Sequence, residues 1–422
     1  MDSEVAPVGR VIGTQDATPL DFWVAVAPDQ FLQLDDVVAT ERTPPGREPI
    51  KIYGLVAQVR ARHEGARFDS DVFLIEDGIL PAEVSEAAQI MATRVEPEVF
   101  VPPLPGAEVR KAMGKERDEA LYFDGMDSKL PAGLSRDDDP VYVNLEFLDG
   151  TRGAHVNISG ISGVATKTTY ATFLLYSLFT SKALGTEKLN TKALIFNVKG
   201  EDLLFLDHAN VQLDDEQAAR YGALDLAPAP FPSVSFYAPP RPDVASAVPD
   251  VSARTLGVTS FFWTLHEFCA DELLPFVFAD AEDDRQQYTM VIHNVAAQLQ
   301  QAQPVGDDGA VKINDDVVRT FKELVDVVVD RLNDDNTRPL WAGAAIGLGT
   351  INAFVRRLYS AVRPLGRLIR GDVPHAGKHR VELQEQLTVV DIHNLQDRAK
   401  RFVVGGVIRG AFDQKGRSGQ AR

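Results

Sequence analysis

The chain has 422 residues, 45% hydrophobic and 25% charged, with 31 glycines and 25 prolines, a composition that excludes a disordered, collagenous or disulfide-stapled protein. Against 43 Lys and Arg stand 61 Asp and Glu, a formal charge of −18, so a generic basic coat for nucleic acid is excluded and any polyanion must meet a local basic patch. The single cysteine, Cys269, rules out an internal disulfide and fits a reducing, cytoplasmic setting.

The start, MDSEVAPVGR, is acidic and lacks the apolar centre of a secretory signal. Residues 1–105 read as a small β domain. VGRVIG, FWVAVA, FLQLDDVVATE, IKIYGLVAQVRAR and EPEVFVPP are short runs rich in Val, Ile, Phe and Tyr, parted by Gly, Pro and Asp clusters. Runs this short and numerous predict a closed or half-closed barrel, interrupted by one helix over PAEVSEAAQIMAT. Residues 106–140 are charged, end in RDDDP, and read as a linker with one amphipathic element.

From 141 the texture changes. VYVNLEF and AHVNISG read as strands, TTYATFLLYSLFTSKAL as a helix and KALIFNV as a strand, the alternation of a parallel sheet with crossover helices. The helix is too short to cross a bilayer, and no membrane partner is expected. This first part of an α/β core runs over 141–255 and includes the proline-dense APAPFPSVSFYAPPRPDV, with one short strand, SVSFYA. Over 256–371 four segments carry apolar residues at helical spacing and predict a helical insertion, split by an acidic loop, PVGDDGAVKINDD. The α/β core resumes over 372–422 with the strand LTVVDIHNL and the helix AKRFVVGGVIRGAFDQK. The predicted fold class is therefore α/β: a small N-terminal β-barrel, then a P-loop parallel sheet with a helical insertion.

The chemistry concentrates in AHVNISGISGVATKTTYATFLLYSLF. A strand, Ala154–Ser159, leads into a Gly-containing loop that ends in Lys167-Thr168 and opens a long helix, the P-loop arrangement. Backbone amides of such a loop and the helix N-terminus face phosphates, the lysine supplies positive charge, and the following hydroxyl ligates Mg²⁺. The candidate nucleotide-binding residues are Gly160, Ser162, Gly163, Val164, Ala165, Thr166, Lys167, Thr168 and Thr169, with Thr168 the candidate metal ligand and ATP with Mg²⁺ the expected cofactors. The glycines depart from G-x-x-x-x-G-K-[ST], because counting back from Lys167 puts Ile161 and Thr166 at the glycine positions. A Gly/Ser turn with a solvated lysine is the competing reading.

Three further groups have two readings each. Lys199, Glu201 and Asp202 follow the strand ALIFNV and are either a solvated turn or, Glu201 above all, groups beside the nucleotide. Asp391 ends LTVVD and either holds Mg²⁺ or closes a neighbouring strand. Arg356, Arg357, Arg363, Arg367 and Arg370 form a basic zone that either follows a DNA backbone or faces solvent or a partner. The histidines show no metal pattern, and His155 and His293 are expected in the core, as is Cys269.

These residues resemble the HerA-like branch of the HerA/FtsK ATPases. VGRVIG, IKIYGLVAQV and VPPLPGAEV are similar to that family's HAS-barrel, HVNISGISGVATKT to its Walker A strand and loop, and ALIFNVKGED to the following strand, where members carry Asp-x-x-Gly-Glu. Gly200 and Glu201 match that run, and Asn197 stands at the Asp position. The resemblance covers nearly the whole chain. It implies a RecA-like core in a homohexameric ring that translocates double-stranded DNA with ATP, in DNA repair, processing or phage defence, with a nuclease or other effector as partner. A Walker B strand ending Asp-Glu would follow a helix like AKRFVVGGVIRGAFDQK, so a truncated product is expected, with a hydrolysis-deficient nucleotide-binding scaffold as the alternative to a motor. An unrelated P-loop transferase fits less well, because such enzymes rarely carry the barrel.

Overall fold

The computed structural model describes residues 6–160, 166–242, 246–278, 286–374 and 379–418. They fall into two compact units, residues 1–133 with 141–157 and residues 134–140 with 158–422.

The first unit is an antiparallel barrel. Its strands are β1 (Gly9–Val11), β2 (Asp21–Val26), β3 (Val37–Arg42), β4 (Ile50–Glu64), β5 (Glu83–Glu96) and β6 (Glu108–Lys111), with a short helix α1 (Asp71–Glu76) between β4 and β5. They close in the order β1-β2-β5-β4-β3-β6. Alternate residues turn inward, and Phe22, Val24, Val38, Ile50, Ile52, Ile90 and Val109 form a core with almost no exposed surface. The barrel requires glycine at position 54, beside a bulge between β4 and β5: a Cβ there would sit 2.5 Å from Ile90 Cγ2 and 2.7 Å from the Met91 carbonyl.

Several expectations for this region change. EPEVFVPP is not a strand of its own: β5 ends at its first residue, Glu96, and the rest carries no ladder. PAEVSEAAQIMAT is strand, not helix, because β5 pairs with both β2 and β4 and buries Ala88 and Ile90; the ladder outweighs the helix preference of Ala and Glu. The closing strand β6 lies beyond residue 105, within the charged stretch read as a linker. The helix α2 (Lys115–Ala120) follows, then β7 (Lys129–Leu134) and β8 (Pro140–Asn144), which pair with each other in a two-stranded sheet. VYVNLEF thus does not enter the parallel sheet.

The second unit opens with α3 (Thr166–Thr180) and continues with β9 (Ala193–Asn197), α4 (Asp215–Ala223), β10 (Val234–Ala238) and β11 (Val258–Ser260). Next come β12 (Trp263–Thr264), α5 (Leu265–Ala270), α6 (Leu274–Val277) and α7 (Gln286–Leu299). An antiparallel meander follows, β13 (Gln303–Val305), β14 (Ala310–Ile313) and β15 (Asp316–Val318), then α8 (Phe321–Asn333), α9 (Arg338–Trp341) and α10 (Leu348–Leu365). The short β16 (Ile369–Arg370) pairs with β12, and β17 (Leu387–Asp391) and α11 (Asp397–Ser418) complete the described chain.

The sheet is parallel, ordered β11-β10-β17-β9, and β17 at its centre is buried at every position. Below 256 the expected alternation therefore holds for α3, β9 and β10, while β11 adds a sheet strand inside the predicted insertion. The acidic loop PVGDDGAVKINDD is the meander: Val311 and Ile313 are buried and supply the apolar face that its Asp and Gly residues mask in the sequence. The helices α8 and α10 pack on each other, α7 packs on α10, and Phe268, Phe321, Phe354 and Phe402 fill the core between elements. Cys269 lies in this core as expected, its thiol pushed up to about 12 by burial. His155 and His293 do not: both are exposed, His293 on the side of α7 away from buried Val291, Ile292 and Val295.

Candidate functional site

The helix α3 begins at Thr166, so Lys167 and Thr168 stand in its first turn, where backbone N–H groups lack helical acceptors. The Lys167 ammonium donates to the Gly160 carbonyl, seven residues earlier, at 3.2 Å. Thr168 and Thr169 are exposed, and their carbonyls accept from the Thr172 hydroxyl at 3.0 and 2.9 Å. The far end of α3 is the anchored end. Tyr176 donates to the Ala227 carbonyl at 2.6 Å and meets Phe231 edge to face at 5.3 Å, and Phe179 is buried. Ser162, Gly163, Val164 and Ala165 lie outside the described residues.

The strand expected to feed this loop is not formed. Residues 154–160 carry no ladder and are mostly exposed, and β9 ends the sheet on the side where it has no neighbour. A strand exists through its pairing, and an apolar run with polar interruptions such as HVNIS has no intrinsic claim to one.

A second polar group gathers at the carboxyl ends of β9 and β17, whose last residues, Asn197 and Asp391, are register partners. Asn197 donates to Asp391 Oδ1 at 3.0 Å and to the Gly200 carbonyl at 2.6 Å. His393 Nδ1 lies 2.8 Å from Asp391 Oδ2, and the His393 amide donates to Oδ1. Burial holds the Asp391 carboxyl above its ordinary range, against the opposing pull of His393. Asp391 thus closes a central strand and is fully enclosed. Glu201 is engaged too. Its carboxylate accepts from the Ser252 amide and hydroxyl, each at 2.8 Å, and from the Ala253 amide at 2.6 Å. Burial raises the Glu201 carboxyl, but those donors, with His393 nearby, outweigh it and leave it below the usual carboxylate range. Glu201 therefore pins the segment after β10. Arg254 supports that segment by pairing with Asp207 at 2.6 Å and lying 4.3 Å over the Phe236 ring.

The five arginines diverge. Arg356 and Arg363, seven residues apart, are exposed on one face of α10. Arg357 lies 4.8 Å over the Tyr288 ring and is half-buried. Arg367 and Arg370 turn with Arg363 toward a cleft that also contains Arg241. Arg241, hidden in APPRPD, and His393 were not selected from the sequence, nor was the joining of Asn197, Asp391 and His393 into one group. That joining had a readable signal, since two apolar runs, ALIFN and LTVVD, each end in a residue able to join across a parallel sheet.

No family model matches the chain, and no curated protein matches it.

Proposed function

We propose that the chain is the ATP-binding subunit of a HerA-like ring ATPase acting on double-stranded DNA, and that as it stands it binds nucleotide without efficient turnover. The observation that carries the reading is Lys167-Thr168 in the first turn of a helix, with the Lys167 ammonium bonded to the Gly160 carbonyl. A barrel preceding a parallel α/β unit supports it, since that is the order the resemblance implies. The homohexameric ring and the nuclease or effector partner are part of the same proposal.

The residues fit a phosphate group better than a catalytic metal. Lys167 supplies the charge and α3 the helix N-terminus, and the exposed Thr168 hydroxyl is the one ligand that would face Mg²⁺. Bound Mg²⁺ would neutralise phosphate charge and orient the leaving group. Yet Asp391 is enclosed by Asn197 and His393, and Glu201 is occupied by three donors. Among the described residues no three His, Cys, Asp or Glu side chains converge as a metal site. With both carboxylates committed, nothing described here orients an attacking water, which favours the hydrolysis-deficient form.

Titration with a fluorescent ATP analogue tests binding: Lys167→Ala is expected to weaken it by about tenfold or more. Unchanged affinity in that variant refutes the nucleotide site. ATP turnover by this chain that Lys167→Ala abolishes refutes the second part.

A further inference from the structure

We propose that the arginine-lined cleft at the carboxyl ends of β10 and β17 is a binding site for a small polyphosphate-bearing ligand of nucleotide size. The proposal does not rest on the Lys167 reading, since the two involve different residues. The cleft measures about 760 Å³, within the range of small-molecule sites. Arg241 lies just past β10, Arg363 in the last turn of α10, Arg367 in the following turn, Arg370 in β16, and Asn394 and Gln396 just past β17. Ligands of open α/β sheets bind outside the carboxyl ends of strands, which is where these segments meet.

Three of the four guanidiniums are held in place. Arg367 pairs with Asp250 at 2.6 Å and donates to the carbonyls of Pro240 at 3.0 Å and Asn394 at 3.2 Å. Arg370, buried, makes two bonds to Asp372 at 2.8 and 2.9 Å. Arg241 donates to the Val251 carbonyl at 3.1 Å. Arg363 is exposed and has no acidic partner among the described residues. Its place near the carbonyl end of α10 offsets that helix dipole but does not account for three further arginines converging from other segments. Among the described residues, Asp250 pairs with Arg367 and Asp372 with Arg370, while Arg241 and Arg363 meet no described carboxylate, in a chain whose formal charge is −18.

Like charges gathered in one cleft favour an anion that enters it. Guanidiniums already held by partners suit phosphate, because their forks are oriented before it arrives, and Asp372, which holds Arg370, lines the cleft with it. The α11 N-terminus adjoins the cleft at Gln396, although Asp397 in its first turn already answers part of that dipole. Concavity favours a short phosphate chain over a duplex. DNA presents its phosphates on a convex surface, and the buried Arg370 lies below the reach of such a surface.

The test is calorimetric titration with inorganic tripolyphosphate in EDTA, using the whole chain, with a 30-base-pair duplex as a second arm. Arg241→Glu with Arg363→Glu reverses two exposed side chains, and far-UV circular dichroism checks that the fold is kept. Tripolyphosphate binding that falls at least about tenfold in this double variant, and stays within about twofold in Lys167→Ala, supports the proposal. A two-site isotherm that loses a different site in each variant supports it as well. It is overturned if tripolyphosphate does not bind, or if binding disappears in Lys167→Ala and persists in the double variant. It is overturned also if the duplex binds through these arginines and tripolyphosphate fails to displace it.

Discussion

Glu267→Gln isolates one buried charge. Glu267 is the third residue of the capping box that starts α5: Thr264 accepts from the Glu267 amide and donates its own amide to the Glu267 carboxylate at 2.8 Å. The same carboxylate meets His379 Nε2 at 2.8 Å and Arg380 Nε at 2.7 Å, with its side chain 19% exposed. Burial pushes the carboxyl up, but His379, the Thr264 amide and Arg380 outweigh it and carry it from an ordinary 4.5 to about 2. That difference corresponds to about 3 kcal/mol of stability at pH 7. Because the folded value is the lower one, this stabilisation is complete well above 4.5 and is lost as pH falls toward 2. Glutamine keeps the cap geometry and removes the charge, so it should cost about 2–3 kcal/mol at pH 7 and about 1 kcal/mol at pH 3. Urea unfolding followed by tryptophan fluorescence in a Trp23→Phe background measures it, since the remaining tryptophans, Trp263 and Trp341, are buried in the second unit. A cost equal at the two pH values would refute the electrostatic account and leave shape alone.

Asn197→Asp restores the acid that the resemblance places there and should destabilise the second unit by about 3 kcal/mol at pH 7, because it removes both donations and sets two carboxylates together. The loss should ease as pH falls and the pair takes up a proton; urea midpoints at pH 7 and pH 5 decide it, and an unchanged midpoint refutes the contact. In α11, a Cβ at Gly405 would stand 2.5 Å from Phe276 Cδ1, so Gly405→Val should cost about 1–3 kcal/mol by overpacking, read as a lower thermal midpoint. Phe402→Ala, which empties a fully buried site beside Trp263 at 5.1 Å between ring centres, should cost about 3–5 kcal/mol by the same measurement.

The barrel was legible because strands such as β2, β3 and β4 carry their own apolar runs, and the crossover helix α3 with strands β9 and β10 because their apolar periods change where the structure changes. What stayed hidden depended on partners distant in the chain. The β5 strand has a helical composition and becomes a strand between β2 and β4. The meander has the composition of a loop and buries Val311 and Ile313 only because helices cover it. The arginine run over 356–370 reads as one stripe, yet Asp250, Asp372 and the Tyr288 ring divide it, and Arg241 enters from another segment. The signals were local, whereas the assignment of each charge was tertiary.

The same distinction bears on the proposed phosphate site. At the sheet centre β17 has a strand on each side and no exposed residue, whereas β9 has one neighbour and is half-buried over Ala193–Phe196. Thr168, Thr169 and Tyr170 near the start of α3 are exposed, and the described residues of the helix are buried only toward its far end, at Tyr176, Ser177 and Phe179. A phosphate grip works by holding amides and an ammonium in place before the ligand arrives. On the proposed reading that hold would come from the carboxyl half of α3 and from the Lys167–Gly160 bond, without a strand over residues 154–160. Nucleotide bound there would have to fix part of the geometry that a paired strand otherwise supplies, at about 1–2 kcal/mol for each residue so ordered. On the proposed reading, weak binding and slow turnover would share one physical cause, the ladder that residues 154–160 do not form, and any contact that pairs the free edge of β9 or residues 154–160 should raise affinity first.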